Sequence, residues 1–367
     1  MRLLRLPMLC LLDVIDNFNP FELYKFSVLS KRTRYLTTLK KWRSPEEVII
    51  STHKGFELIL VYPTKDQWHF RFTGNKKFPE GPPDLSRETH SNRGSKIRTF
   101  FFQDPLRGGL QAAEHVIRLF RVSKTRVKFY PPNGNDLKTI INWINKQDSL
   151  DVYETMVFSP NKDFFATIVQ NYQKKTQSLR INGNLDAPNN SIQPTFSANL
   201  ELGSLRVNLG SRMHLDTMMS SNPAELHVPR TTMNCEDLNL FLTNWKNGKT
   251  NSKLKWCSLG MNSGCQIDFK TIFRGLNPVI NDPITIKRIH DTATLLIHGG
   301  VDVYRFDGKC AKIDLLTYWS ENPNPIIPQD VIDKYEAAVR WNLNGDDSEV
   351  NELHREQGEW VFRAEIV

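Results

Sequence analysis

The residues best suited to chemistry are few in this chain of 367 residues. His290 and Asp291 are neighbours, and His298 follows shortly after, so the three could in principle move protons. No motif with a nucleophile accompanies them. The sequence also lacks the glycine-rich phosphate-binding motifs, the zinc-protease motif and the serine-hydrolase motif. We therefore expect no catalytic residues, no cofactor and a non-enzymatic role.

Metal ligation and disulfide pairing are not indicated by the residues that could support them. The acidic pair Asp346 and Asp347 misses the spacing of a calcium-binding loop. None of the cysteines forms a Cys-x-x-Cys pair, and no histidine near Cys257 and Cys265 completes a zinc-ligand pattern. The five cysteines are Cys10, Cys235, Cys257, Cys265 and Cys310. An odd number of unpatterned cysteines is typical of reduced thiols in the cytoplasm or nucleus.

The net charge of +8 arises from 48 basic and 40 acidic residues spread along the chain. Dispersed surface charge disfavours nucleic acid as the partner. No stretch of 18 apolar residues occurs, so we expect no membrane span. The apolar run from Leu6 to Leu12 is interrupted by Pro7, and no cleavage site follows it, so it does not predict a signal peptide.

Residues 1–43 have the apolar spacing of short helices. Leu6, Leu9, Leu12 and Ile15 recur every three residues, and a break at Asn19-Pro20 precedes a second helical run. Forty residues of short helix cannot bury this much apolar surface by themselves. One interpretation is a helical cap on the next domain, and the other is a docking surface for another protein.

The order of residues in this segment resembles the F-box family. The matching elements are Leu6-Pro7, the aliphatics Leu11, Val14 and Ile15, the turn Pro20-Phe21-Glu22-Leu23, and the element Ser30-Lys31 with Arg34. Glu22 stands where the family often has aspartate. The resemblance implies docking on a Skp-type adaptor protein, which links to a cullin. By position, the residues in or behind that interface would be Leu6, Pro7, Leu11, Ile15, Leu23, Leu29 and Ser30.

Residues 44–122 predict a β meander, a loop and a helix. Three β-branched and aromatic runs, at 47–52, 56–62 and 67–72, are separated by turn residues. A polar, proline-rich stretch at 73–98 predicts a loop, and residues 111–120 form an amphipathic pattern.

Residues 123–280 alternate between strand-like and helix-like segments. Successive predicted strands are centred near residues 127, 152, 181, 207, 228 and 256. This spacing predicts a leucine-rich-repeat-like array of stacked β/α units, although the asparagine ladder of that family is missing. An ordinary α/β sandwich is the alternative.

One part of this body carries a second resemblance. The string Asp-Leu-Asn-Leu-Phe-Leu-Thr-Asn-Trp at 237–245 looks like the core of the type 2 F-box-associated domain, which is abundant in nematode F-box proteins. The similarity covers about residues 210–278. Leu238, Phe241, Leu242 and Trp245 have helical spacing, so we interpret them as core packing. An asparagine such as Asn239 or Asn244 could bond loop backbone if it faces the strand turns.

Residues 281–367 predict a C-terminal β meander followed by a helix. Alternating runs at 294–298, 301–305 and 310–314, joined by glycine-containing turns, predict three antiparallel strands. A linker at 322–328, a helix at 330–341 and a frayed acidic tail from Asn344 complete the prediction.

Together, the sequence predicts an α+β chain: a small helical F-box, a leucine-rich-repeat-like β/α array and a C-terminal antiparallel β meander. The two resemblances imply the substrate-recognition subunit of a Skp–cullin–F-box ubiquitin ligase, whose body binds a protein target. A repeat-like interaction scaffold outside any ligase, and a basic nucleic-acid-binding protein, are the alternatives.

Overall fold

A computed structural model of the chain divides it into two units, residues 1–158 and residues 159–367. The structure describes residues 2–39, 44–53, 55–74, 95–122, 124–131, 136–158, 162–183, 191–192, 196, 200–207, 212–261, 267–282, 286–289, 295–314, 328–330, 332–333, 336 and 361–367. Most of the predicted proline-rich loop lies outside these residues, as do Cys265, His290, Asp291 and the acidic stretch from Asn344 to residue 360.

The first unit begins with helices and continues with strands. Its elements are a 3-10 turn Arg2–Arg5, α1 (Met8–Asp16), α2 (Pro20–Val28), α3 (Lys31–Thr38), β1 (Glu47–Ser51), β2 (Glu57–Val61), β3 (Gln67–Thr73), β4 (Ser95–Phe101), α4 (Pro105–Phe120), β5 (Thr125–Phe129), α5 (Asp136–Asn145) and β6 (Val152–Phe158). In this unit the strand order is β6-β5-β1-β2-β3-β4.

The predicted meander of β1, β2 and β3 is confirmed. Ile49 pairs with Ile59 across β1 and β2, and Leu58 pairs with Phe70 across β2 and β3, both in antiparallel register. β5 then lies parallel to β1 on one side and to β6 on the other. Alternate side chains such as Val127 are fully buried, which is the period expected of strands that cover a core on one side.

Helix α4 begins at Pro105, earlier than the predicted start at residue 111. The sequence did not predict this first turn because Gly108 and Gly109 lie at its end, and glycine has a low helix propensity. Packing explains their presence. A Cβ on Gly108 would lie 2.2 Å from the ring of Phe102, and one on Gly109 would lie 2.7 Å from the ring of Phe56. The two glycines therefore let aromatic side chains approach the helix backbone closely.

The second unit alternates strands and helices and ends in strands. Its elements are α6 (Lys162–Asn171), β7 (Thr176–Asn182), β8 (Ser191–Ile192), β9 (Leu202–Val207), β10 (Arg212–Met213), α7 (Leu215–Ser221), β11 (Glu225–Val228), α8 (Cys235–Lys246), β12 (Trp256–Gly260), α9 (Phe269–Ile272), β13 (Val279–Ile280), β14 (Ile286–Ile289), β15 (Leu295–His298), β16 (Val301–Tyr304), β17 (Cys310–Asp314) and β18 (Val361–Ile366).

The main sheet of this unit has the order β7-β9-β11-β12-β18-β17-β16-β13. β7, β9, β11 and β12 are parallel neighbours, and the pairs after β12 are antiparallel. The predicted alternation of strands and helices is therefore present, with parallel strands stacked in chain order. Its identification with a leucine-rich repeat stays a prediction.

The C-terminal pairing differs from the predicted meander. β16 and β17 form the predicted antiparallel hairpin, whereas β15 pairs with β14 and the other neighbour of β16 is β13. Gly299 and Gly300, which we interpreted as a hairpin turn, both have positive φ, at 64° and 79°. Consecutive left-handed residues redirect the chain between β15 and β16.

The predicted frayed tail is wrong for the last residues of the chain. Val361–Ile366 form β18, which is inserted between β12 and β17 with Phe362 and Ala364 buried. The alternation of apolar and polar residues in this stretch was a strand pattern. Of the predicted helix at 330–341, the described positions 330, 332, 333 and 336 are helical.

Candidate protein-interaction sites

A reciprocal cap fixes the start of α2. The backbone amides of Phe21 and Glu22 each donate to Asn19 Oδ1 at 3.0 Å, and the amide of Asn19 donates to Glu22 Oε2 at 2.9 Å. Pro20 occupies the first turn, where its missing N–H costs nothing. Glu22, the departure from the F-box pattern, therefore has a local structural role as the second half of a capping box.

Ser30 caps α3 in a similar way. The amide of Thr33 donates to Ser30 Oγ at 3.1 Å, and the amide of Ser30 donates to Thr33 Oγ1 at 2.9 Å. Ser30 was predicted to lie in or behind the adaptor interface. It is exposed, so the cap and a contact with a partner are compatible.

Helix α2 packs against the sheet of its own unit. The Phe21 ring lies 5.0 Å from the ring of Trp68 and 4.9 Å from that of Phe70, and the Tyr24 ring lies 5.3 Å from that of Phe100. Edge-to-face aromatic pairs of this kind contribute roughly 0.5–1.5 kcal/mol each beyond burial. The inner face of α2 is therefore covered within the chain, in agreement with the interpretation of these helices as a cap.

The structure separates the predicted adaptor contacts into two groups. Leu11, Ile15 and Leu23 are 1%, 0% and 2% exposed, so they are packed inside the first unit, behind any docking surface. The exposed members are Leu6 at 41%, Leu29 at 64%, Pro7 and Ser30. The guanidinium of Arg32, at the start of α3, donates to the backbone oxygen of Leu4 at 3.3 Å, which brings the segment before α1 against α3.

Exposed apolar side chains are concentrated in these helices. Among the described residues, eight large apolar side chains between residues 6 and 39 are exposed, against six in the rest of the chain. We call these eight the N-terminal apolar surface: Leu6, Met8, Leu9, Val14, Val28, Leu29, Tyr35 and Leu39. Leu9, at 76% exposed, was missing from the predicted contacts. Leu9 lies four and seven residues before Asp13 and Asp16, which puts the three on one side of α1, so the spacing of the acidic residues was a usable signal of the outward side.

Helix α8 contains the string that resembles the F-box-associated core. Leu238, Phe241, Leu242 and Trp245 are all buried, which confirms their interpretation as packing. The helix begins at Cys235 and is capped by Asn234, whose side chain accepts from the amide of Asp237 at 2.9 Å.

The expectation for the two asparagines of α8 is confirmed for Asn239. Its Nδ2 donates to the backbone oxygens of Ile272 and Arg274, both at 2.9 Å, and thereby ties α8 to the segment around α9. Asn244 instead directs its amide to the sulfur of Met219 at 3.3 Å.

The sheet of the second unit has an apolar face and a polar face. Leu179, Leu205, Leu226, Leu259 and Phe362 are buried on one face. The alternate positions are mostly polar and half-buried or exposed, among them Arg180, Arg206, Glu225, His227 and Trp256. We call this second set of positions the polar sheet face. Sequence reasoning missed it, although period-two alternation in β7, β9 and β11 was a usable pattern.

A cleft of about 450 Å³ in the first unit is lined by residues that include Thr52, Phe56, Phe72, Asp104 and Asp136. The carboxylate of Asp104 accepts from the amide of Arg107 at 3.0 Å and caps α4. Within the described ranges, no group of three or more histidine, cysteine, aspartate or glutamate residues could hold a metal ion. Nor is any helix in the described part of the chain long and apolar enough to cross a membrane.

Comparison with known families places one domain. Residues 191–259 match the family described as F-box associated. The match overlaps the predicted domain at 210–278 and begins earlier, so that it includes β8, β9, β10, α7, β11, α8 and most of β12. The chain therefore carries an F-box-associated domain. Searches of curated proteins and of solved structures found no match.

Proposed function

We propose that this protein is the substrate-recognition subunit of a Skp–cullin–F-box ubiquitin ligase, of the kind expanded in nematodes. The N-terminal helices dock on a Skp-type adaptor, and the body binds a protein target. One combination of features carries the proposal: an F-box-associated domain lies downstream of three short helices whose outer side exposes apolar residues.

Burial of the N-terminal apolar surface supplies the driving force for docking. Fully burying one leucine side chain contributes roughly 1.5–3 kcal/mol. Leu9 and Leu29 are the most exposed leucines of this surface, so a partner that covers them removes the most leucine side-chain area from water. Exposed apolar patches of this kind mark interaction sites on soluble proteins. Lys31, Arg32 and Arg34 are exposed beside them and favour a partner with acidic groups at the rim.

The mechanism is proximity, with no bond chemistry in this chain. Holding a target beside the ubiquitin-conjugating enzyme replaces an encounter in solution by an intramolecular one, at an effective concentration on the order of millimolar. Among the described residues, Cys235, Cys257 and Cys310 are buried and form no disulfide, which fits a reducing compartment, either cytoplasm or nucleus.

The test is binding of a purified Skp-type adaptor to the full chain, measured by isothermal titration calorimetry. Three proteins are compared: the unchanged chain, the double variant Leu9→Asp with Leu29→Asp, and the control Leu240→Asp. Leu240 is a suitable control because it lies in the second unit and is 46% exposed. We expect the double variant to weaken binding at least tenfold and the control to leave it unchanged. Equal affinities for all three proteins, or no binding by the unchanged chain, would contradict the proposal.

A scaffold that works outside a ligase is the second candidate. The packing of Phe21 and Tyr24 on β3 and β4 favours it, because a helix covered by its own sheet has less surface left for a partner. This candidate predicts that the unchanged chain is monodisperse in solution and does not bind the adaptor at tens of micromolar.

A further inference from the structure

We propose that the outer edge of β4 in the first unit binds an extended segment of the target protein as an additional strand, and that this segment alternates acidic and apolar residues. The inference deepens the proposed function, on which it rests only for the identity of the partner as the target protein. The mode of binding follows from the backbone of β4, and the preferred sequence follows from its side chains.

β4 is an edge strand. It is paired with β3 along its whole length, in parallel register, and among the described residues no strand lies on its other side. An edge strand presents backbone N–H and C=O groups with which another chain can pair. β4 has seven residues, which is long enough for a ladder of several such bonds.

The register of β3 and β4 shows which backbone groups face outward. The amide of Phe102 donates to the backbone oxygen of Thr73 at 3.0 Å, and such bonds recur at every second residue along a parallel pair. The even-numbered residues of β4 therefore bond β3, and the N–H and C=O groups of Ile97, Thr99 and Phe101 point away from it. Within the described part of the chain, the backbone groups of these three residues have no hydrogen-bond partner.

Basic side chains lie on the α2 side of β4. Lys96 Nζ lies 4.2 Å from the centre of the Trp68 ring, and the guanidinium carbon of Arg98 lies 5.2 Å from the centre of the Phe21 ring. Neither cation forms an ion pair with a carboxylate of the described residues. Lys96 is exposed and Arg98 is half-buried, so acidic side chains of an added strand can reach both. Opposite charges on neighbouring strands stabilise their pairing.

The other side of β4 is suited to apolar residues. Side chains alternate along a strand, so Ile97, Thr99 and Phe101 project from the face opposite α2. Phe101 is 36% exposed, and the other two are half-buried. Apolar side chains of an added strand would lie beside Ile97 and Phe101 and bury apolar area there. The two sides of β4 together select a segment in which acidic and apolar residues alternate.

The charges also distinguish a target from a second copy of this chain. If β4 strands of two copies paired, Lys96 and Arg98 of one copy would lie beside the same residues of the other. Like charges on neighbouring strands are destabilising, and lysine on an edge strand is one way in which proteins prevent pairing between edges. An acidic segment removes this penalty, so β4 favours a target over self-association.

The experiment measures binding of a fluorescent peptide of alternating valine and glutamate, seven residues long like β4, to the full chain by anisotropy. We expect binding that weakens at least tenfold in the double variant Lys96→Gln with Arg98→Gln. The control is Lys138→Gln with Lys146→Gln, which removes the same charge from two exposed lysines of the same unit and should leave binding unchanged.

Thr99→Pro tests the backbone of the edge. The N–H of Thr99 points away from β3, so proline removes an outward donor and obstructs an added strand while sparing the bonds between β3 and β4. We expect at least tenfold weaker peptide binding, with circular dichroism to check that the variant is folded. Thr99→Val keeps the N–H and should bind like the unchanged chain.

N-methylated peptides test the same bonds without changing the protein, and they decide the matter if Thr99→Pro fails to fold. The valine and glutamate N–H groups of an extended peptide point to opposite sides, so only one set faces β4. Methylating that set should weaken binding at least tenfold, and methylating the other set should not. Binding that neither methylation weakens would contradict strand addition.

Three further outcomes would overturn the inference. Equal loss in the two charge variants would show attraction to the net charge alone, and equal binding of a valine–lysine peptide would remove the acidic preference. Self-association of the chain that Thr99→Pro abolishes would assign the edge to a second copy. Adaptor binding is measured in parallel: its absence beside intact peptide binding would overturn the ligase proposal and leave the strand-addition site standing.

Discussion

Ser27 on α2 and His115 on α4 form a hydrogen bond, with 2.6 Å between Oγ and Nε2. The Ser27 hydroxyl also donates to the backbone oxygen of Tyr24 at 2.7 Å. A hydroxyl has one hydrogen to donate, so His115 Nε2 carries a proton and donates it to Ser27. This bond ties the N-terminal helices to the rest of the first unit.

Removal of the Ser27 hydroxyl should loosen α2. We expect Ser27→Ala to destabilise the docked helix by about 1–3 kcal/mol, because it leaves a half-buried imidazole N–H without its acceptor. Hydrogen exchange of the α2 amides measures this as faster exchange. Thr38→Ala is the control, since the Thr38 hydroxyl is exposed on α3 and bonds only its own helix at Tyr35. Unchanged exchange in Ser27→Ala would contradict the account.

Stability of the first unit should fall with acid through His115. Burial lowers the pKa of His115, and Arg34 and Arg118 lower it further, so the folded state disfavours the protonated ring. The contribution of the neutral ring is therefore complete above the ordinary pKa of about 6.5 and is lost as pH falls below that value toward the folded pKa. Urea unfolding at pH 7 and pH 5 should show a smaller loss of stability for His115→Gln than for the unchanged chain. An equal loss would show that His115 is not responsible.

Asn239 should be the costliest polar residue to remove from α8. It joins two backbone oxygens at the end of α9, and Asn239→Ala leaves both without these donors. We expect a loss of about 1–3 kcal/mol in the free energy of unfolding of the second unit. Asn247→Ala, at the exposed end of the same helix, should change it by less than about 0.5 kcal/mol. Similar losses in the free energy of unfolding for both variants would contradict this role of Asn239.

The last strand should be essential for the second unit. Phe362 is fully buried between β12 and β17, whereas Val367 is 58% exposed. Phe362→Asp places a carboxylate in the core and should unfold the unit, whereas Val367→Asp should be tolerated. Thermal unfolding followed by circular dichroism compares the two. A folded Phe362→Asp variant with an unchanged melting temperature would contradict the placement of β18.

Local patterns predicted the elements that depend on local residues. The runs at 47–72 predicted three strands in the correct order, and helical spacing predicted the buried residues Leu238, Phe241, Leu242 and Trp245. The string at 237–245, which contains Asn239, also indicated an F-box-associated domain, and the family comparison supports that domain.

Long-range packing was beyond the sequence. Glu365 pairs with Trp256, which lies more than a hundred residues earlier in the chain, and no sequence feature of either strand indicates this pairing. The outward side of α1, by contrast, was marked in the sequence, because Leu9 shares a side of the helix with Asp13 and Asp16. Gly108 weakened the helical pattern in the sequence. A glycine is needed at this position because the ring of Phe102, which lies outside the helix, approaches its backbone closely.

The central claim is that the N-terminal apolar surface binds a Skp-type adaptor, and Cys10 reports on that surface directly. Cys10 is exposed on α1 beside Leu9, whereas Cys235, Cys257 and Cys310 are buried, and burial raises the pKa of the Cys257 thiol to about 12. Because Cys265 lies outside the described residues, the experiment uses Cys265→Ser in the full chain.

The measurement is the rate at which Cys10 reacts with a thiol reagent, with and without a saturating cysteine-free adaptor. The account predicts at least tenfold slower modification in the complex, and less slowing at the same adaptor concentration when Leu9→Asp and Leu29→Asp are added. An unchanged rate of Cys10 modification at saturating adaptor would contradict the claim.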